Sequence, residues 1–295
     1  MQHEFPLVIV EKIARAGSIR GAADLLSITP SALNRRLLSL EDELDTQLFE
    51  RTSNGVILNA AGEIFITHAR RQLAEMKSVR SKISDIKGVR RGRVVIAIDD
   101  NVAALASFAE EIAHYQREFS DVTFVVEPTP ANDIAQALTE YRADLAVQLH
   151  PTTNSYVSSL CAAPAQIYVG AHKGHPAFGN GPLRLHELAK FRWALPVSGP
   201  LRDSVETSAI RQGLDFHIGL EIPAGAAGTI MQGADTIGFE MSTSGKPSSQ
   251  KLDYRALSSR DQAPMFVHLS QLKGRSLSVA AGRFAEQIRK SYAQP

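Results

Sequence analysis

The stretch from Thr29 to Leu44, TPSALNRRLLSLEDEL, predicts an amphipathic helix with a defined start. Thr29 suits the N-cap because its hydroxyl can accept a hydrogen bond from an unpaired amide of the first turn. Pro30 suits the first helical position, where its missing N–H has no intrahelical partner to lose. Leucines at helical spacing then predict one buried face, formed by Leu33, Leu37, Leu40 and Leu44.

The opposite face of this helix begins with side chains suited to nucleic acids, namely Ser31, Asn34, Arg35 and Arg36. Arginine pairs with guanine and asparagine with adenine in the major groove. A solvated amphipathic helix without any ligand would explain the same pattern. The neighbouring segments therefore have to decide between the two interpretations.

Two further short helices are predicted before this stretch. Apolar spacing predicts the first over Phe5–Ala16, and Gly17 ends it. Ser18 can cap the second, over Ile19–Leu26, which a tight turn joins to the helix from Pro30. Two short helices joined in this way form a helix-turn-helix pattern.

A hairpin is predicted directly after these helices. Leu48–Phe49 and Val56–Leu58 have strand character, and the Ser53-Asn54-Gly55 segment between them is a turn signal. A hairpin at this place would form a wing, with Arg51 and Ser53 placed to meet phosphates. An ordinary hairpin is the alternative.

A long helix is predicted from Ala60 to about Lys87, capped by Asn59. It has too little apolar surface to be buried on all sides, and such a helix usually packs on a copy of itself. Its apolar positions are Ile64, Ile66, Leu73, Met76, Val79, Ile83 and Ile86.

Composition and charge limit the possible partners. The chain has 295 residues and is 44% hydrophobic, enough for two or three domains with substantial cores. Residues 1–95 hold 15 Lys+Arg and 11 Asp+Glu, a balance of +4, and the remaining 17 and 20 give −3. The N-terminal part is therefore the candidate for a polyanionic partner. A lone cysteine, the absence of an apolar run of membrane-spanning length and the absence of a signal-peptide pattern predict a cytoplasmic protein without a membrane partner.

The first 90 or so residues resemble the winged helix-turn-helix and linker helix of the LysR-type transcriptional regulators. The resemblance rests on AGSIRGAADLL, SALNRRLLSLEDEL, LFER and LNAAGE at these spacings. The family commonly has Gln-Pro at Pro30-Ser31, serine at Asn34 and threonine at Asn59. Asn59 keeps the capping chemistry, whereas the other departures alter the base-reading surface and so the operator sequence.

From Gly92 the pattern alternates strands and helices, which predicts parallel sheets with helical crossovers. The predicted strands include one at Ala165–Ala171 and one near Thr236–Phe239. The layout resembles the family's α/β effector domain, with two Rossmann-like subdomains as in periplasmic binding proteins. The predicted domains are a winged helix-turn-helix over 1–58, a linker and dimerisation helix over 59–91, and an effector domain over 92–295. Subdomain I is expected over about 92–163 and 266–295, and subdomain II over about 164–265.

A small-molecule effector would bind between the subdomains, where strand ends and helix N-termini meet. The residues predicted to contact it are Asp99, Asp100, Asn101, Thr129, Gln148, Val197, Ser198, Gly199 and Phe239. Aspartates at the first turn would disfavour an anionic effector and favour a cationic or zwitterionic one. The alternative is that an aspartate there only caps a helix.

The resemblance implies a homodimer or homotetramer on double-stranded DNA, at an interrupted palindromic operator. The helix from Pro30 would enter the major groove, with Ser31, Asn34 and Arg35 on bases. Ser18, Thr29, Arg36 and Arg51 would contact phosphates.

Enzymatic and metal chemistry are not predicted. His150, His172 and His175 lack a cysteine or acidic partner at a matching interval, so neither a metal nor a cofactor is expected. No nucleophile, base and orienting acid assemble in the sequence. Two alternatives remain: a DNA-binding regulator that needs no effector, and a small-molecule-binding α/β protein whose N-terminal helices only mediate assembly.

Overall fold

The computed structural model of the protein describes residues 4–86, 91–99, 102, 106–149, 154–179, 181–223, 236–243, 245–247, 249 and 251–293. Asp100, Asn101 and His150, which the sequence analysis singled out, lie outside these residues. The chain forms two compact units, Met1–Gly88 and Val89–Pro295. None of the helices in the described ranges has the length and hydropathy needed to cross a membrane.

The first unit contains three short helices, a hairpin and a long helix. They are α1 (Phe5–Ala16), α2 (Ile19–Leu26), α3 (Pro30–Glu43), β1 (Phe49–Thr52), β2 (Gly55–Leu58) and α4 (Ala60–Ile86). The short helices share a core to which Ile9, Ile13, Leu33 and Leu37 contribute. β1 and β2 pair antiparallel, so the predicted helix-turn-helix and wing are confirmed.

Side-chain caps fix the starts of three helices in this unit. The Ser18 hydroxyl accepts from the amide three residues on at 3.1 Å, and that of Thr29 does the same at 3.3 Å. Asn59 Oδ1 accepts from the corresponding amide at 2.8 Å. Each bond satisfies an amide that the helix leaves unpaired, so the predicted caps are confirmed.

Leu44 departs from the predicted buried face of α3. Its side chain is 41% exposed, whereas Leu33 and Leu37 are buried. Helical periodicity stops at Glu43, and Leu48 provides the next core side chain. The prediction of a buried Leu44 is therefore wrong, because it extended the helical spacing past the end of the helix.

α4 presents apolar side chains to solvent along its C-terminal half. The helix packs on α1, and Ile66 is buried there. Met76, Val79 and Ile83 are 40, 48 and 49% exposed. Their spacing of three and four residues places them on one face, as in helices that pair with another helix.

The second unit is α/β. Its elements are β3 (Gly92–Asp99), α5 (Ala106–Glu118), β4 (Val122–Thr129), α6 (Ile134–Thr139), β5 (Leu145–Leu149), β6 (Val157–His172), α7 (Leu185–Leu188), β7 (Arg192–Pro196), α8 (Pro200–Arg211), β8 (His217–Ile222), β9 (Thr236–Ser242), β10 (Leu252–Ala256), a 3-10 turn (Ser259–Asp261), β11 (Met265–Leu272) and α9 (Val279–Tyr292).

The described strands of this unit pair in the order β4-β3-β5-β11-β6-β9-β7-β8, and β10 pairs with β6. β3 is parallel to β4 and β5, and β7 is parallel to β8 and β9. Each half of the sheet thus has the predicted parallel arrangement with helical crossovers, which confirms the α/β fold with two Rossmann-like halves. β11 is antiparallel to both of its neighbours.

β6 joins the two halves of the sheet because it changes partners along its length. Up to Ala165 it pairs with β11, and from Gln166 onward it pairs with β9 and β10. The sequence pattern predicts only the second part of this strand, Ala165–Ala171. The strand in fact begins at Val157. β10 was not predicted.

Candidate functional site

The outward side of α3 carries the predicted base-reading residues. Ser31 and Arg35 are exposed, and Asn34 is half-buried. At about 100° per residue, Ser31 and Arg35 lie about 40° apart around the helix, on the side opposite the buried leucines. Thr29 and Pro30 precede them, and the Thr29 hydroxyl lies 3.3 Å from Ser31 Oγ. The start of α3 is therefore a polar, exposed surface.

Arg36 lies elsewhere on the same helix. Its guanidinium carbon lies 4.4 Å from the centre of the Phe5 ring on α1. A guanidinium in this position is attracted by the ring face. Arg36 is also about 140° from Ser31 around α3, so the structure does not group it with Ser31 and Arg35. Its predicted contact with a phosphate stays a prediction.

The wing presents Arg51 and Ser53, both exposed. The Val56 amide donates to the Gly17 carbonyl at 2.9 Å, which fixes the wing to the turn between α1 and α2. Gly55 has a φ of 138°, and a Cβ there would lie 2.1 Å from the Gly17 oxygen. Only glycine fits this close approach. The wing is therefore held beside the start of α2.

Glu41 is a buried carboxylate that the sequence analysis missed. It is 8% exposed, and its Oε1 accepts from the Leu48 amide at 2.7 Å. The bond ties the end of α3 to the segment that leads into the wing. The signal was present, because Glu41 follows Leu37 by four residues and so falls near the buried side of the helix.

Three predicted effector contacts lie side by side in the first half of the sheet. Asp99 ends β3 beside Thr129 of β4, and Gln148 is level with Asp99 on β5, since Ile98 pairs with Val147. Their exposed fractions are only 1, 7 and 5%, in that order. We call Asp99, Thr129 and Gln148 the polar row. The structure brings these three residues together but encloses them.

β11 extends the polar row with residues that the sequence analysis missed. His268 pairs with Gln148 across the sheet, and Gln148 Nε2 lies 3.5 Å from Ser270 Oγ. His268 Nδ1 lies 3.0 Å from Ser159 Oγ on β6. His268 and Ser270 alternate with buried apolar residues along the strand. This alternation with a period of two indicates a strand that has polar side chains on one face.

The second half of the sheet contributes the turn between β7 and α8. Val197 and Ser198 are exposed, and Gly199 precedes the helix with a φ of 106°. Glycine has no side chain to cap the helix, so the first amides of α8 meet the turn without a side-chain cap from this position. The predicted residues of this turn therefore lie together at one helix start.

Arg202 holds this turn in place and was also missed. Its Nη1 donates to the carbonyls of Pro196 and Val197, each at 3.1 Å. Its guanidinium also pairs with Glu221 and Glu206. The bond with Glu221 raises the pKa of Arg202 above its ordinary value, so the side chain stays cationic.

Phe239 is a core residue and not a cleft contact in this structure. Its side chain is 2% exposed, and its ring lies edge-on to Trp193 at 5.1 Å. Strand position alone suggested the cleft, because β9 was predicted to end at Phe239. The strand continues to Ser242, and Phe239 points to the side of the sheet that Trp193 occupies.

A network of polar side chains holds the segment that returns from β10 to β11. Asp261 is buried and accepts from Arg184 Nε at 2.8 Å and from the Leu185 amide at 2.9 Å. Burial raises the pKa of Asp261, but the bonds with Arg184 and the Leu185 amide outweigh it and lower the pKa below 3.8. Gln262 Oε1 accepts from the Ile167 amide at 2.9 Å, just where β6 changes partners.

Two family patterns match the chain. The family described as bacterial regulatory helix-turn-helix protein, lysR family, matches residues 6–63, and the LysR substrate binding domain matches residues 87–293. The chain belongs to the LysR family. Its members are transcriptional regulators and not enzymes.

LysR-family relatives share the sequence over different lengths. The HTH-type transcriptional regulator PunR of Escherichia coli K12 is 33% identical over 147 residues, 50% of this chain and 47% of that protein. The chain thus matches about half the length of PunR. The RuBisCO operon transcriptional regulator of Allochromatium vinosum is 25% identical over 292 residues, 96% of this chain and 94% of that protein.

Solved LysR-family structures share the fold. Full-length CbnR complexed with its target DNA is 17% identical, with a TM-score of 0.62 over 98% of this chain and 99% of that chain. Full-length OxyR from Pseudomonas aeruginosa is 16% identical, with a TM-score of 0.66 over 97% of both chains. At these identities the likeness concerns the fold alone.

Proposed function

We propose that this LysR-family protein binds double-stranded DNA sequence-specifically and regulates transcription in the cytoplasm. α3 would enter the major groove, with Ser31, Asn34 and Arg35 on bases. Ser18, Thr29, Arg51 and Ser53 would contact phosphates, which position the protein without reading sequence. The observation that carries this proposal is the exposed polar start of α3, with the wing fixed beside α2. CbnR, a structural neighbour, has been solved with its target DNA.

Assembly as a homodimer, or as a homotetramer of two dimers, is part of the proposal. The exposed Met76, Val79 and Ile83 on one face of α4 support pairing through this helix. A twofold dimer presents two copies of α3, so the operator would be an interrupted palindrome.

The proposal includes control of DNA binding by a small-molecule effector that binds the second unit. The polar row ends the strands of one half of the sheet, and the Val197–Gly199 turn ends a strand of the other. Ligands of open α/β sheets bind at such strand ends. Asp99 is enclosed, so the preference for a cationic or zwitterionic effector now depends on Asp100.

One observation favours an effector-independent regulator. The polar side chains of the row bond within the protein: the Thr129 hydroxyl donates to the Glu127 carbonyl at 2.9 Å, and Gln148 lies within reach of Ser270. A cleft whose polar groups are already satisfied offers little to a ligand. Ligand-induced changes in thermal stability would separate the two proposals.

The first test is selection of duplexes from a random-sequence library by the full-length protein at two salt concentrations. Enrichment of an interrupted palindrome, bound more weakly at high salt, supports the proposal. Binding without enrichment of any sequence would contradict sequence-specific recognition. The selected duplex then serves for thermal unfolding with amine, amino-acid and dicarboxylate probes. A dicarboxylate that stabilises wild type and Asp100→Asn equally would contradict the proposed effector charge.

A further inference from the structure

Leu38 is an exposed apolar residue in the middle of the polar side of α3. It is 46% exposed, although Leu33, Leu37 and Leu40 of the same helix are buried. At about 100° per residue, Leu38 lies about 20° from Ser31 and about 60° from Arg35 around the helix. Single exposed leucines are common on protein surfaces. This one lies on the line of the helix that faces away from the core.

The position of Leu38 along α3 also brings it within reach of bases. Leu38 is the third residue after Arg35, which corresponds to a rise of about 4.5 Å along the helix. This rise is slightly more than one base-pair step. The next residue on this line is Asp42, which is exposed and would repel phosphates. Ser31, Arg35 and Leu38 thus form the stretch of α3 that can face a groove, about 10 Å long.

The chemistry of an apolar side chain in the major groove is specific. Thymine is the base that presents a methyl group there, and apolar side chains contact it. Leucine offers no donor or acceptor to any other base edge. We propose that Leu38 contacts the 5-methyl group of a thymine one or two base pairs from the base read by Arg35. This inference rests on the proposed DNA binding by α3 and adds a specificity-determining residue to it.

The test replaces each thymine of the selected duplex, one at a time, by deoxyuridine, which lacks only the methyl group. Dissociation constants are measured for full-length wild type and Leu38→Ala. Burial of one methyl group predicts that one such replacement weakens wild-type binding about fourfold. The same replacement should leave the affinity of Leu38→Ala unchanged. The position should lie within two base pairs of the base whose preference Arg35→Ala relaxes.

Leu25→Ala is the matched control, because Leu25 is 61% exposed on α2. This variant should keep the full response to deoxyuridine. Thermal unfolding of Leu38→Ala should match that of wild type, because alanine is a good helix former at an exposed site. A wild type that is indifferent to every deoxyuridine replacement, or an undiminished response in Leu38→Ala, overturns the inference while leaving DNA binding intact. If the library yields no preferred sequence, both the proposed sequence-specific DNA binding and the inference about Leu38 are overturned.

Discussion

The outward side of α3 with the wing, in the first unit, and the polar row, in the second unit, differ in how far their polar side chains are exposed. In the first unit Ser31, Arg35 and Arg51 are exposed on short elements that caps and a close glycine contact keep in place. In the second unit Asp99, Thr129 and Gln148 are enclosed within the sheet. An exposed site suits a large partner that approaches from outside. An enclosed site suits a small molecule, or no ligand at all.

Two ion pairs, one from each unit, show the same difference in burial. Arg275 and Asp144 of the second unit pair at 2.5 Å with side chains 7 and 5% exposed, and Asp144 Oδ2 also accepts from the Val95 amide. Arg80 and Glu4 of the first unit also pair at 2.5 Å, but with side chains 55 and 21% exposed. Of these two pairs, only Arg275–Asp144 leaves a buried charge when one partner is removed.

Asp144→Ala should have the largest effect on stability. An unpaired buried Arg275 should lower the free energy of unfolding of the second unit by about 3–5 kcal/mol. Guanidinium unfolding followed by the fluorescence of Trp193, a buried residue of that unit, measures the loss. Glu4→Ala, the matched change in the exposed pair, should cost less than about 1 kcal/mol. If the two substitutions lowered the free energy of unfolding equally, the proposed difference between the buried and the exposed ion pair would be contradicted.

Glu41→Ala should destabilise the first unit. The Leu48 amide would lose its buried acceptor, at a cost of about 1–3 kcal/mol in the free energy of unfolding. Far-ultraviolet circular dichroism measures the helical transition, while Trp193 fluorescence should report an unchanged second unit. Glu43→Ala, an exposed change two residues on, is the control. A Glu41→Ala protein as stable as this control would show that the bond contributes nothing.

Asp261→Asn should alter the pH dependence of the second unit. Because the pKa of Asp261 is lower in the folded protein, its stabilisation is present above the ordinary value of 3.8 and is lost as pH falls through the folded pKa. Asp261→Asn should therefore cost about 1–3 kcal/mol near neutral pH, and the difference from wild type should shrink below about pH 4. Urea unfolding across pH measures this difference. A difference that grows in acid would contradict the lowered pKa of Asp261. Asp203→Asn, a substitution at an exposed position, is the control.

Arg36→Ala should have the smallest effect. Loss of the contact with Phe5 should lower the free energy of unfolding of the first unit by about 0.5–1 kcal/mol. The substitution should leave base preferences in a library selection unchanged, because Arg36 faces α1. A changed base preference would place Arg36 in the groove instead.

The sequence predicted the first unit nearly completely because its signals are local. Caps at Ser18, Thr29 and Asn59 lie within a few residues of the helices they start. Leu44 and Glu41 show the limit, since their burial depends on where the chain goes after α3. Helical spacing placed Leu44 wrongly. For Glu41 it indicated the buried side of α3, but it could not indicate the bond with the Leu48 amide.

The second unit was predicted less well because its contacts are distant in sequence. The first part of β6 contains Pro164, which argues against an interior strand. Proline is tolerated there because, among the described strands, this part of β6 pairs only with β11. β10 alternates Leu252, Tyr254 and Ala256 with charged residues at the edge of the sheet. The partners of Gln148, namely His268 and Ser270, come from a strand some 120 residues later, as the Gln148–Ser270 separation of 122 shows.

The measurement that tests the central claim most directly is the ratio of specific to non-specific DNA affinity. Dissociation constants for the selected duplex and a scrambled duplex would be compared between wild type, Arg35→Ala and Arg36→Ala. If α3 reads bases through its outward side, Arg35→Ala should lower the ratio about tenfold or more, and Arg36→Ala should leave it near the wild-type value. An unchanged ratio in Arg35→Ala would show that the exposed side of α3 does not read the operator.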